Sequence, residues 1–218
     1  MMNFLKKNLF IKMPDVITTK DLSVKDTSKL KTGNIRKKYN IEDETILIGS
    51  SGRIVWQKGY DQLLSLLEKH DFNNKKLHFL IAGDGSLRET LISDLKEKKL
   101  ESYITFIGNI KNIPEFLSAL DIYIQPSVTE GFPLSVLEAM ATGLPIICSD
   151  AGGLKEMINN NAIGIKYKSE ELNSLYQMLC KLLSMKPNKL LELGRNARKE
   201  VVKKYSIEII TKQYNKIY

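Results

Sequence analysis

Six short apolar runs punctuate this chain, each separated from the next by a polar stretch with helical spacing. They occupy positions 45–49, 77–82, 103–107, 122–125, 145–148 and 163–167. Runs this short, rich in Ile with Leu, Phe and Tyr and with Gly, Pro, Asn or Asp close by, predict parallel strands covered on both faces. Between them, helices are predicted at 60–69 and 87–99, from Pro114 onward with Asn112 as its cap, at 133–143, and at 152–158. This alternation predicts an α/β fold, a doubly wound parallel sheet. Three further helices, at 170–185, 187–204 and from 206 to the end, follow with no strand between them. Residues 1–44 show no sustained period and are rich in Lys, Asp, Thr and Ser, which predicts an irregular lead-in with one short helix near 34–39.

In such a sheet, ligands bind beyond the carboxyl ends of the strands. The loops SSGRIVWQKG, GDGS, GNIKN and SVTEGFP all leave those ends, so Arg53, Lys58, Asp84, Ile110 and Glu130 are expected along one edge. The stretch SVTEGFPLSVLEAMATG is the most informative. Pro133 suits the first helical position, Leu134, Val136, Leu137, Met140 and Ala141 supply the helical period, and Gly143 closes it. Glu130 then precedes a helix N-terminus and Glu138 lies inside the helix. The first amides of a helix attract anions, while two carboxylates repel them and are better used as hydroxyl acceptors. A phosphate group with a sugar on either side satisfies both.

Arg53 and Lys58 complement each other, because a guanidinium forks onto two oxygens and an ammonium acts as a point charge. Together with the amides near Leu134 and Ser135 they suffice for a diphosphate without a metal. The sequence has no DxD pair, and His70 and His78 stand apart, read as structural or solvated. GDGSLRE lacks the GK[ST] of a P-loop and the last glycine of a dinucleotide fingerprint. Gly83 and Gly85 either permit a tight turn or admit a ligand, and Trp56 and Tyr60 read as packing residues rather than a base-stacking platform.

With 218 residues, 43% of them hydrophobic, the chain holds one large or two small domains. No apolar run reaches membrane-spanning length, and the start, MMNFLKKNLFIKMP, lacks a small-residue cleavage site. Cys148 and Cys180 fit neither a disulfide framework nor a metal motif and are expected as buried free thiols in a reducing cytoplasm. The net charge of +8 is concentrated at the end of the chain, where residues 181–218 carry ten Lys or Arg against three Glu. Such an end suits a solvated face, anionic lipid headgroups or nucleic acid. The absence of aromatic interleaving or zinc spacing argues against sequence-specific nucleic-acid binding.

Taken together, GRIVWQKGYDQLL, FLIAGDGSLRETL and ITFIGNIKNIPEFLSALDIYIQPSVTEGFPLSVLEAMATGLPIICSDAGGLKEMI resemble, in order and spacing, the C-terminal half of retaining GT-B glycosyltransferases of family 4. Glu130 and Glu138 fit that family's E-x7-E signature. The resemblance implies a Rossmann-like half of a GT-B fold with additional C-terminal helices, residues 45–218 forming the donor-binding domain and residues 1–44 resembling an interdomain connection. By resemblance, Gly52, Arg53 and Lys58 hold the donor diphosphate, and the backbone at Gly131, Phe132, Leu134 and Ser135 meets the phosphate and the transferred sugar. Glu130 takes sugar hydroxyls, Glu138 the ribose hydroxyls, and Ile110 the base, with Glu130, Arg53 and Lys58 as the catalytic set.

The implied reaction is metal-independent, needs no cofactor, and moves a hexose with retention from a UDP-, GDP- or ADP-sugar to a saccharide or lipid-linked acceptor, in the cytoplasm or peripherally at the inner membrane face. Two departures accompany it. The acceptor-binding half is not in this sequence, so a fragment, a truncated product or a split enzyme with an acceptor-domain partner chain is expected; and Pro133 stands where Gly is commoner. A nucleotide-sugar 2-epimerase-like enzyme on the same fold and a basic module for nucleic acid or membrane surfaces are the competing readings.

Overall fold

The structure, a computed structural model, describes residues 34–72, 75–206, 209–211 and 215. Most of the predicted lead-in and much of the last predicted helix lie outside the described residues. The rest of the chain runs α1 (Asn34–Lys38), β1 (Ile46–Ser51), a 3-10 turn (Trp56–Lys58), α2 (Asp61–Lys69), β2 (Leu77–Ala82), α3 (Arg88–Glu97), β3 (Ile104–Gly108), α4 (Ile113–Ala119) and β4 (Ile122–Gln125). It continues through α5 (Leu134–Thr142), β5 (Ile146–Ser149), α6 (Gly153–Met157), β6 (Ile165–Tyr167), α7 (Leu172–Leu183) and α8 (Pro187–Tyr205).

All pairings in the six-stranded sheet are parallel, in the order β3-β2-β1-β4-β5-β6. This is the Rossmann arrangement, and the direction of winding reverses between β1 and β4. The sheet is apolar on both faces because side chains alternate. Leu47, Leu80, Tyr123, Ile146 and Cys148 face α4, α5, α6 and α8 in one layer, while Ile48, Phe79, Ile81, Ile124 and Ile147 face α2, α3 and α7 in the other. The doubly wound α/β reading therefore holds strand for strand. Asn112 caps α4 as expected, its side chain accepting from the Glu115 amide at 3.1 Å.

Several expectations are corrected. Pro133 sits at the N-cap with extended geometry (φ −77°, ψ 105°), one residue before the helix it was expected to open. Its carbonyl receives the Val136 and Leu137 amides, so the proline terminates the loop rather than starting the first turn. Trp56 is 58% exposed rather than packed, because the neighbouring Ile54, fully buried, takes the interior position; Tyr60 is buried as expected. Cys148 is buried and Cys180 only half-buried; burial pushes the Cys148 thiol up to about 12.

At the amino ends of the strands lies a feature that no motif announced. Arg36, 2% exposed, donates to the carbonyls of Ala119 (3.1 Å), Glu42 (3.0 Å) and Thr45 (3.1 Å) and pairs with Asp121 at 2.6 Å. Asp121 in turn accepts from the Leu47 amide. One guanidinium thus ties α1 and the entry to β1 to the turn between α4 and β4.

Candidate active site at the sheet switch point

The crevice of a doubly wound sheet opens where the strand order reverses, here between the loops that leave β1 and β4. Their backbones are laced together. The Val128 amide donates to the Gln57 carbonyl at 2.8 Å, and the Gln62 side chain donates to the Pro126 carbonyl at 2.9 Å. Gly59 adopts φ 65°, and a Cβ there would fall 2.1 Å from the Pro126 carbonyl oxygen, so only glycine permits this approach.

On that base, Lys58 Nζ reaches Glu130 Oε2 at 2.5 Å, with 15% and 12% of the two side chains exposed. Two of the expected residues, 72 positions apart, are thus in direct contact. Arg53 is exposed on the same loop and makes no ion pair or side-chain hydrogen bond among the described residues. The Glu130 turn is held from the other side by α6, whose Gly153 amide donates to the Glu130 carbonyl at 3.0 Å. A Cβ on Gly153 would fall 1.7 Å from the Gly131 carbonyl oxygen. That contact uses the AGG sequence at 151–153, a signal the sequence reading passed over.

Helix α5 points its N-terminus at this turn. Gly131 and Phe132 are exposed, Leu134 and Ser135 half-buried, and the amides of Phe132, Leu134 and Ser135 have no backbone partner among the described residues. Glu138, one turn further in, is half-buried, and burial raises its carboxyl above the usual range. No cation pairs with it among the described residues. Phe132, 41% exposed, stands edge-to-face with Tyr205 at the end of α8, ring centroids 5.5 Å apart.

Of the remaining expected residues, Gly52 follows β1 and lies beside Lys58 and Tyr60. Ile110 follows β3, two strands from β1, and is half-buried against the layer that holds α4 and α5. Asp84 turns back to accept its neighbour Gly85's amide at 2.8 Å. Gly83 and Gly85 pack against the β1 loop, where Cβ atoms would meet the carbonyls of Gly52 at 1.9 Å and Ile54 at 2.4 Å. His70 stacks on Tyr176, and His78 is buried between the Ser102 carbonyl and the Thr105 hydroxyl, both structural as expected. Sequence reasoning missed Gln125 and Ser127, both fully buried, which continue from Glu130 into the protein. Among the described residues no cluster of three His, Cys, Asp or Glu is placed to hold a metal.

A six-stranded Rossmann-like lobe with paired charges and open helix amides at its switch point is one half of a GT-B glycosyltransferase fold. The chain belongs to the Glycosyl transferases group 1 family, whose model matches residues 31–200. It is 33% identical over 144 residues to the O-antigen biosynthesis glycosyltransferase WclY of Escherichia coli, covering 66% of this chain and 40% of that protein. It is 30% identical over 182 residues to N,N'-diacetylbacillosaminyl-diphospho-undecaprenol alpha-1,3-N-acetylgalactosaminyltransferase of Campylobacter jejuni, covering 84% of this chain and 46% of that protein. Among solved structures, Anabaena HepE in complex with UDP and glucose matches with a TM-score of 0.75 at 21% identity, over 84% of this chain and 50% of that one. That likeness is one of fold. The chain spans about half the length, or less, of these proteins.

Proposed function

We propose that residues 45–218 form the donor-binding lobe of a retaining, family 4 hexosyltransferase that takes a nucleoside-diphosphate sugar without a metal. The single observation that carries this is the Lys58–Glu130 pair at the switch point, set beside unpartnered α5 amides. In this reading Lys58, Arg53 and those amides hold the diphosphate and offset the charge that develops on the leaving group. Glu130 accepts sugar hydroxyls, Glu138 ribose hydroxyls, and the Ile110 backbone meets the base. The chemistry fits both the acceptor named for the Campylobacter relative, a diphospho-undecaprenol-linked sugar, and the UDP bound by HepE. A saccharide or lipid-linked acceptor is then held by a second lobe.

Calorimetric titration of UDP-, GDP- and ADP-sugars tests the donor assignment. One nucleotide should be preferred, and Lys58→Ala combined with Arg53→Ala should abolish its binding. Unchanged affinity in the double variant removes the assignment, and epimerised donor formed without acceptor would instead indicate a 2-epimerase.

The lobe also carries a face suited to a lipid-linked acceptor. Arg195, Lys199 and Lys203 recur every four residues on α8, all exposed and unpaired among the described residues. Like charges at this spacing repel, and an anionic headgroup layer relieves that repulsion. No described helix is long and apolar enough to cross a membrane. Sedimentation with phosphatidylglycerol vesicles should be strong, fall steeply with salt, and be lost when the three cations become Gln.

A further inference from the structure

Glu130 is not held by Lys58 alone. The Ser127 hydroxyl donates to the same oxygen, Oε2, at 3.1 Å, and the Gln125 side-chain amide donates to the Ser127 oxygen at 2.8 Å. Both Ser127 and Gln125 are fully buried. Gln125 is itself anchored, its carbonyl accepting from the Tyr123 hydroxyl at 3.3 Å and the Ser135 hydroxyl at 3.5 Å, while Tyr123 reaches the end of β1 through Ser51. A serine hydroxyl has one proton to give. With Gln125 donating to its oxygen, that proton is directed at Glu130.

We infer that Ser127, oriented by Gln125, is a positioning residue that keeps the Glu130 carboxylate aimed into the crevice when a donor's diphosphate draws Lys58 away. The inference rests on the donor-site reading above. Oε2 receives both Lys58 and Ser127, and no donor reaches Oε1 among the described residues, so Oε1 can take an incoming hydroxyl. A diphosphate competes for the same ammonium. Once Lys58 turns to it, the serine is the remaining donor to a carboxylate that is only 12% exposed. The bond has room to tighten, since charge-assisted O–H···O contacts reach about 2.5–2.7 Å. Ser127 should accordingly matter little for a nucleoside diphosphate and more for the same nucleotide carrying a sugar, because the sugar is what Glu130 meets.

The test is calorimetry on the full chain with UDP-glucose, GDP-mannose and ADP-glucose beside UDP, GDP and ADP. Ser127→Ala should weaken the preferred sugar nucleotide about tenfold or more, the loss expected for a hydrogen bond to a charged group. Its nucleoside diphosphate should stay within about twofold, as for a site not directly coupled, and Ser127→Thr should recover the sugar nucleotide. Equal losses for both ligands, or none, overturn the inference; an unchanged denaturation midpoint in the threonine variant guards against a folding artefact. A crystal structure of ligand-free Lys58→Met provides an arm that needs no donor. There the Glu130 carboxylate should remain hydrogen-bonded to Ser127, and a carboxylate swung into solvent overturns the relay. Absence of all nucleotide binding by the unsubstituted chain would defeat the donor reading, while this crystallographic arm would still decide the role of Ser127.

Discussion

The two edges of the sheet each carry a charged pair that joins distant segments, and the two pairs are built to opposite ends. At the amino edge, Arg36 directs its donors to three carbonyls and the Asp121 carboxylate. At the carboxyl edge, the Lys58 ammonium has three protons to give and a single partner among the described residues, Glu130. With four of its five N–H donors engaged, the Arg36 guanidinium has little capacity left for a ligand and serves to close the chain on itself. An under-coordinated cation, held just below the surface and beside open helix amides, stores an unmet demand for anionic oxygen. Both are salt bridges by distance, and they differ in the count of engaged donors, four on Arg36 and one on Lys58; under the donor-site proposal the second is the binding pair.

The contrast breaks most sharply if Arg36 is removed. Arg36→Met should cost about 3 kcal/mol of stability, the low end for a buried pair, because Asp121 keeps 31% of its side chain in water and the Glu42 carbonyl keeps the Thr45 amide, while the Ala119 and Thr45 carbonyls lose the guanidinium. Urea unfolding measures it, and nucleotide affinity of the folded protein should not change. Lys58→Met should show the reverse profile. Donor affinity should fall by about 1.5–3 kcal/mol, the value of a charged hydrogen bond. Part of any stability loss comes from the carboxylate left behind, so Lys58→Met with Glu130→Gln should restore stability and leave binding lost. If Arg36→Met weakens binding while Lys58→Met does not, the assignment of roles to the two edges is wrong.

Gly152→Ala probes the link between edge and support. Gly152 has φ 47°, and a Cβ there would fall 2.0 Å from the Glu130 carbonyl oxygen. Backbone strain of this kind costs about 1–3 kcal/mol. The expected outcome is a lower unfolding midpoint together with weaker sugar-nucleotide binding, since the clash falls on the turn that carries Glu130. A loss of stability with intact binding would show that the turn adjusts without moving its carboxylate.

What was legible beforehand follows from range. Strands buried on both faces write themselves as apolar runs, so the sheet, its winding and the edge where Lys58 and Glu130 meet could all be read from local pattern plus one topological rule. Arg36 could not, since its partners are main-chain carbonyls 6, 9 and 83 residues away that leave no mark in the sequence. Ser127 and Gln125 look like turn and strand-end polars, and their burial arises only when β1, β4 and β5 are assembled. Glycines announced themselves at 83 and 85, but not which carbonyl each would admit, and the pair at 152 and 153 passed unremarked. Trp56 was misread for a related reason. Aromatic residues usually pack inward, yet the interior position on this loop went to Ile54, two residues before the turn that carries Trp56.

The smallest effect, and the one that sharpens the comparison furthest, concerns Glu138. Unlike Asp121 and Glu130 it has no cation beside it among the described residues, and burial alone raises its carboxyl above the ordinary 4.5. In the window between the unfolded and the raised folded value, the native state binds more protons than the unfolded chain, so stability falls as pH rises. The penalty is complete above the folded value and absent below the unfolded one. Glu138→Gln should remove that slope and be slightly more stable at neutral pH. Donor binding should move the other way, because ribose hydroxyls donate to a carboxylate and find fewer acceptor sites once it is protonated. Affinity should therefore decline as pH falls through the same window in which stability rises, and the glutamine variant should lose both dependences. Opposed slopes that vanish together are expected of a ligand-facing acid, whereas a sloping stability with pH-flat affinity would make Glu138 a buried bystander.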